Sequence, residues 1–174
     1  SSAQPHAGIV NCVASSAPFI VSGGADTVIA CNEKKEESNK LDRVHSVPAY
    51  SSEVSCVSVS REFHAVASAT MAGQVIVQSL ESGAVLCVIE LGDRQETTHL
   101  LITRAWGFVV VFTDHKDNED LHEVHVFTLC GELVGRTETG ARAARCLTWA
   151  SHDGFDFVAA AFSDGRIAAF EAFF

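Results

Sequence analysis

The sequence predicts an all-β protein, an array of about four four-stranded antiparallel blades of the β-propeller kind. Three observations carry this reading: an internal repeat of about 44 residues, short runs rich in Val, Ile, Phe and Ala, and turns bearing glycine or aspartate between the runs. A helical reading fails, because no apolar spacing of i, i+3, i+4, i+7 is sustained and turn residues recur too often for helices of about ten or more residues. Parallel β-α-β architecture fails for the same reason.

The first strand of each unit is marked by a tetrapeptide. Asn11-Cys12-Val13-Ala14, Ser55-Cys56-Val57-Ser58, Thr98-His99-Leu100-Leu101 and Arg145-Cys146-Leu147-Thr148 begin 44, 43 and 47 residues apart. The second strand is an apolar run: Phe19 to Val21 before Gly23-Gly24-Ala25-Asp26, Ala65 to Ala67 before Met71-Ala72-Gly73, Phe108 to Phe112, and Phe157 to Phe162 before Ser163-Asp164-Gly165. Such turn residues favour tight hairpins because they tolerate positive φ. The third strand centres on Val28, Val75, Val124 and Ile167, spaced 47, 49 and 43 residues apart, and the fourth on Leu41 to Val47, Ala84 to Leu91 and Glu132 to Arg136. The blades therefore fall at about 6–50, 51–92, 93–140 and 141–174. The last unit reads as stopping after its third strand, and the chain starts without Met. Both features lead us to expect the C-terminal portion of a larger propeller; the alternative is an open four-blade array that self-associates through open blade edges.

Composition narrows the classes of function. Of 174 residues, 47% are hydrophobic and 20% charged, enough to bury a core without metal or disulfide staples. The net charge of −10 and a pI near 5.1 disfavour a phosphate backbone as ligand. The richest basic stretch, Lys34-Lys35 to Arg43, is interleaved with Glu33, Glu36, Glu37 and Asp42, so nucleic acid is not expected as a partner. No apolar run approaches the roughly 18 residues that span a bilayer, and Ser1 to His6 lack the form of a signal peptide, so direct membrane insertion is not expected either. The six cysteines are scattered without a CxxC, the pattern of reduced thiols in a cytoplasmic protein.

The stretch Ala69-Thr70-Met71-Ala72-Gly73-Gln74-Val75-Ile76-Val77-Gln78-Ser79-Leu80-Glu81-Ser82-Gly83 resembles the second half of a WD40 repeat. The turns Gly23 to Val28 and Phe162 to Ile167 resemble the same element. The Gly-His and Trp-Asp dipeptides that name the family are missing; Cys31-Asn32, Gln78-Ser79, Phe127-Thr128 and Phe170-Glu171 stand where Trp-Asp would fall. A finer likeness covers about the last 50 residues. Val124 to Leu133, then Trp149 through Phe155-Asp156-Phe157 to Gly165-Arg166-Ile167 and Phe170-Glu171, is similar to the C-terminal WD40 repeats of BEACH-domain proteins, the large scaffolds of vesicle traffic. That likeness implies a cytoplasmic protein held at membranes through the rest of a larger chain.

Candidate chemistry gives way to structural readings. Cys12, Cys56 and Cys146 occupy one place in three repeats and His99 fills it in the other, but equivalent positions on different blades are expected to be whole sheets apart, too far to share an ion. They read as small core residues, as do Cys31, Cys87 and Cys130. His122 and His125, three apart on a strand, are expected on opposite faces. His115 with Asp114, Asp117, Asn118, Glu119 and Asp120 reads as a long acidic hairpin loop, lacking the glycine and terminal glutamate of an EF-hand. The segment Asn32 to Arg43 reads as a mobile polar loop. Asp26, Asp156 and Asp164 read as turn formers, and Trp106 and Trp149 as packing residues.

No catalytic, cofactor-binding or metal residue is assigned, and no cofactor is expected. The expected function is a non-catalytic scaffold for protein partners, the WD40 portion of a BEACH-type trafficking protein. The alternative is a propeller enzyme or ligand-binding propeller with its site in the central channel.

Overall fold

A computed structural model describes residues 4–35, 40–48, 52–92, 94–140, 143–152 and 155–171. They form four antiparallel sheets in which strands neighbour each other in chain order, a four-blade propeller arrangement. The first blade holds β1 (Val10–Ser16), β2 (Phe19–Gly24), β3 (Val28–Lys34) and β4 (Leu41–Pro48). The second holds β5 (Val54–Ser60), β6 (Ala65–Thr70), β7 (Gln74–Ser79) and β8 (Val85–Glu90). The third holds β9 (Gln95–Ile102), β10 (Val109–His115), β11 (Asn118–Phe127) and β12 (Leu133–Gly140). The fourth shows three strands among the described residues: β13 (Ala144–His152), β14 (Phe155–Phe162) and β15 (Ile167–Glu171).

The tetrapeptide repeat has a physical meaning. In every blade the pairing of the first strand with the second skips one residue, and that residue opens the tetrapeptide: Asn11, Ser55, Thr98 and Arg145. A bulge at a fixed place bends each first strand in the same way. In two blades it also aims a polar side chain at the next sheet. Asn11 Nδ2 donates to the Val54 carbonyl at 3.0 Å, and Ser55 Oγ to the Thr97 carbonyl at 3.1 Å. Thr98 instead donates to Phe112 within its own blade.

The blades meet mainly through their first strands, β1 on β5, β5 on β9 and β9 on β13, which therefore line the axis. Their side chains alternate between the face turned backward, to the preceding blade, and the face turned forward. Three apolar layers result. Val54, Val57 and Val66 of blade 2 pack on Val21, Ile29 and Cys31 of blade 1. Leu100, Ile102 and Val109 of blade 3 pack on Ala67, Ala69, Val75 and Val77 of blade 2. Val158, Ala160 and Phe170 of blade 4 pack on Leu101, Val110 and Val124 of blade 3. A central strand buried on both faces reads as an unbroken apolar run, which is why Val109 to Phe112 of β10 show no alternation in sequence.

Two expected loops are largely strand. Asn32 to Lys34 and Leu41 to Arg43 belong to the β3–β4 hairpin, with Asn32 buried, because the ladder pairs Asn32 with Arg43 and Glu33 with Asp42. Only 35 to 40 connect them; Lys35 pairs with Asp42 at 2.8 Å, and residues 36 to 39 lie outside the described residues. The acidic run after Asp114 likewise continues β10 and β11, turning at Lys116-Asp117.

Candidate functional site

The first strands end together at one end of the axis. There, Ser15 and Ser16 of β1, Val59 and Ser60 of β5, Ile102 of β9 and Trp149 of β13 surround an opening of about 190 Å³, together with Glu62 and Arg104 from the turns that follow β5 and β9. All four blades contribute to it. Local turn geometry sets its polar groups: Ser60 Oγ receives the Phe63 amide and donates to Glu62 at 3.4 Å. The Arg104 guanidinium meets the Glu62 carboxylate at 3.1 Å, bridging blades 2 and 3. Arg61 ties the same turn to blade 1, its amide donating to Ser16 Oγ and its guanidinium to the Ala17 carbonyl.

Trp149 is 38% exposed at this mouth, and Trp106 is 56% exposed in the turn after β9, so the expectation that both are packing residues is corrected. β13 is covered on one side only, so its side chains reach solvent where those of β5 and β9 do not. Among the described residues no histidine or cysteine lines the mouth. Its chemistry is a flat aromatic face, an ion pair with exposed edges and serine hydroxyls, a set suited to gripping a polar chain.

The residues singled out in the sequence are placed elsewhere. Cys12, Cys56 and Cys87 are half-buried and Cys31 fully buried, whereas Cys130 and Cys146 are exposed, contrary to a core role for all six. Cys130 sits in a turn and Cys146 faces away from blade 3. Several thiols act as weak donors to the next blade, Cys31 to the Leu80 carbonyl, Cys56 to Thr98 and Cys87 to Leu129. Burial pushes the Cys12 thiol up to about 12, helped by nearby Cys56, and holds Cys31 and Cys56 at about 11, so these are poor nucleophiles at neutral pH. Among the described residues no group of three or more His, Cys, Asp or Glu side chains is placed to hold a metal ion.

Asp26 does more than shape a turn. It accepts from the Ala7 amide at 2.8 Å and the Val28 amide at 3.3 Å, and meets His6 Nδ1 at 3.0 Å, while His6 Nε2 reaches Ser22 Oγ at 2.8 Å. Desolvation opposes ionisation of Asp26, but these bonds, that from His6 foremost, hold its carboxyl below the usual range. His6 went unnoticed in the sequence; its signal is a histidine just ahead of a first strand with an aspartate in the following turn. Asp164 caps its turn through the Arg166 amide, and the side chain of Asp156 lies outside the described residues.

A second network escaped the sequence altogether. The buried Glu123 carboxylate holds Arg136, receives Gln95 Nε2 at 2.7 Å and faces His125 Nε2 at 3.4 Å. His122, by contrast, pairs with Asp114 at 2.6 Å. Burial lowers the pKa of His125 from the ordinary 6.5, with Glu123 opposing and Arg136 assisting. A larger cleft of about 250 Å³ opens between blades 3 and 4, walled by Val110, Val124, Val126, Val158 and Phe170. It is a gap in the packing of two sheets and carries a single charged side chain, Arg136, at its wall.

The sequence matches no family model and no curated protein. In structure the chain is similar to the computationally designed Ika4 protein, with a TM-score of 0.74 at 19% identity over 99% of this chain and 96% of that one. It is also similar to the computationally designed Ika8 protein, with a TM-score of 0.71 at 18% identity over 96% of this chain but 47% of that one.

Proposed function

We propose that the chain is a non-catalytic interaction scaffold of the WD40 type, the blade-bearing part of a BEACH-type vesicle-trafficking protein, which grips protein partners at the axial mouth. The observation that carries the reading is the convergence of Trp149, the Arg104–Glu62 pair and three serines from four separate sheets on one opening. Strands hold Trp149 and the serines in place, the turns after β5 and β9 carry the ion pair, and an exposed aromatic beside an ion pair is a common anchor for a peptide. The BEACH-type assignment rests on the likeness of Val124 to Leu133 and Trp149 to Glu171. It places the chain in the cytoplasm, held at membranes by the rest of a larger protein.

Capture from cell lysate on immobilised chain, compared with Trp149→Ala and Arg104→Ala, tests this. Partners retained by the wild type and lost from both variants are expected. A captured set indifferent to both substitutions would sink the assignment to the mouth. Turnover of any member of a hydrolase substrate panel, abolished by Glu62→Gln, would favour an enzyme instead.

A further inference from the structure

The two ends of the blade array are unfinished surfaces that match each other. Register makes the blades comparable position by position. Val10 and Val13 of β1 correspond to Val54 and Val57 of β5, the backward-facing residues that seal blade 2 against blade 1. Val54 and Val57 are 0% and 8% exposed; Val10 and Val13 are 48% and 67% exposed. At the other end, Cys146 and Ala161 pair as Cys56 and Ala69 do, and Ile167 stands opposite Ala161 as Val75 stands opposite Ala69. Val75 is fully buried under blade 3, whereas Ile167 is 78% exposed. Blade 4 thus presents forward the same apolar pattern that blade 2 buries, and blade 1 presents backward the pattern that covers it.

Among the described residues, β13 and β1 show no packing comparable to that between the other adjacent first strands, so these residues leave the seam open. The chain also aligns with 47% of the Ika8 chain, so this four-blade arrangement occurs within a chain about twice as long. We propose that a second copy of this chain fills the gap: blade 4 of each copy packs on blade 1 of the other, and two chains close one ring about a two-fold axis. A single partner then satisfies both faces at once, through two identical seams. Arg145, the bulge residue of blade 4, would reach across the seam as Asn11 and Ser55 do within the chain, with the Val10 carbonyl in the place of Val54 and Thr97. The proposal is independent of what the axial mouth binds.

Light scattering coupled to size exclusion tests it on the full chain. The expected mass is twice 18.6 kDa. Val13→Glu and Ile167→Glu each place a carboxylate in both seams, so each variant alone should run at monomer mass. Both residues are exposed in the single chain, and an unchanged circular dichroism spectrum will show that each variant still folds. A monomeric wild type, an open series of larger species, or a dimer that survives either substitution would overturn the proposal.

Discussion

Gln78 is fully buried on β7, and its amide oxygen and nitrogen find no hydrogen-bond partner among the described residues. An unsatisfied buried amide costs about 1–3 kcal/mol, so Gln78→Met, close in volume and without polar demand, is expected to raise stability by an amount of that order. Urea unfolding measures it; a destabilised variant would show that the amide has a partner in solution. His125 gives a second residue-scale outcome. Because its folded pKa lies below 6.5, the unfolded chain binds the proton first, and stability falls as pH drops through about 6.5 until folded His125 titrates as well. Melting at pH 7.5 and 5.5 should show a smaller loss in His125→Gln than in the wild type; equal losses would remove His125 as the cause. Of the candidate residues, Asp26 and Asp164 were legible because an Asp side chain bonds its own turn, whereas Asp156 lies within β14. The exposure of Trp149 and Cys146 was not, since it depends on which blade faces have neighbours, and a single sequence does not carry that information.

Strands were the most legible elements, because β-branched runs between turn residues satisfy only one local conformation. The errors lay where polar composition was taken for loop. Asn32 to Lys34 are charged or polar and still pair, as do Asn118 and His122, since cross-strand partners and the ladder outweigh side-chain preference at a sheet end. The seam between blades 1 and 2 shows how closely elements fit. A Cβ at Gly23 would stand 2.4 Å from Val54 Cγ1 and 2.9 Å from Cys12 Sγ. Gly23→Ala is therefore expected to cost about 1–3 kcal/mol through displacement of β5, with the loss read in thermal unfolding. Ser55→Ala removes a hydroxyl that touches both the Ala69 and Thr97 carbonyls, and should cost about 1 kcal/mol. Were Ser55→Ala neutral, this hydroxyl would have no part in holding blades 2 and 3 in register.

At the scale of the whole molecule, the four-fold repeat predicted the blades and their order, because each unit repeats one strand–turn program. It did not predict the axial mouth. Glu62, Arg104 and Trp149 occupy different offsets within their units and share no motif; only the arrangement about the axis brings them together. The same holds for the Glu123 network, whose members come from β9, β11 and β12.

The bulge at Asn11, Ser55, Thr98 and Arg145 carries one more consequence. Among the described residues, blades pack mainly on their immediate neighbours through the first strands, and the bulge recurs in each blade. Copy number is therefore free to drift: a duplicated or deleted unit of about 44 residues leaves each remaining joint as it was, and evolution can lengthen or shorten such an array by whole units without redesigning a single strand.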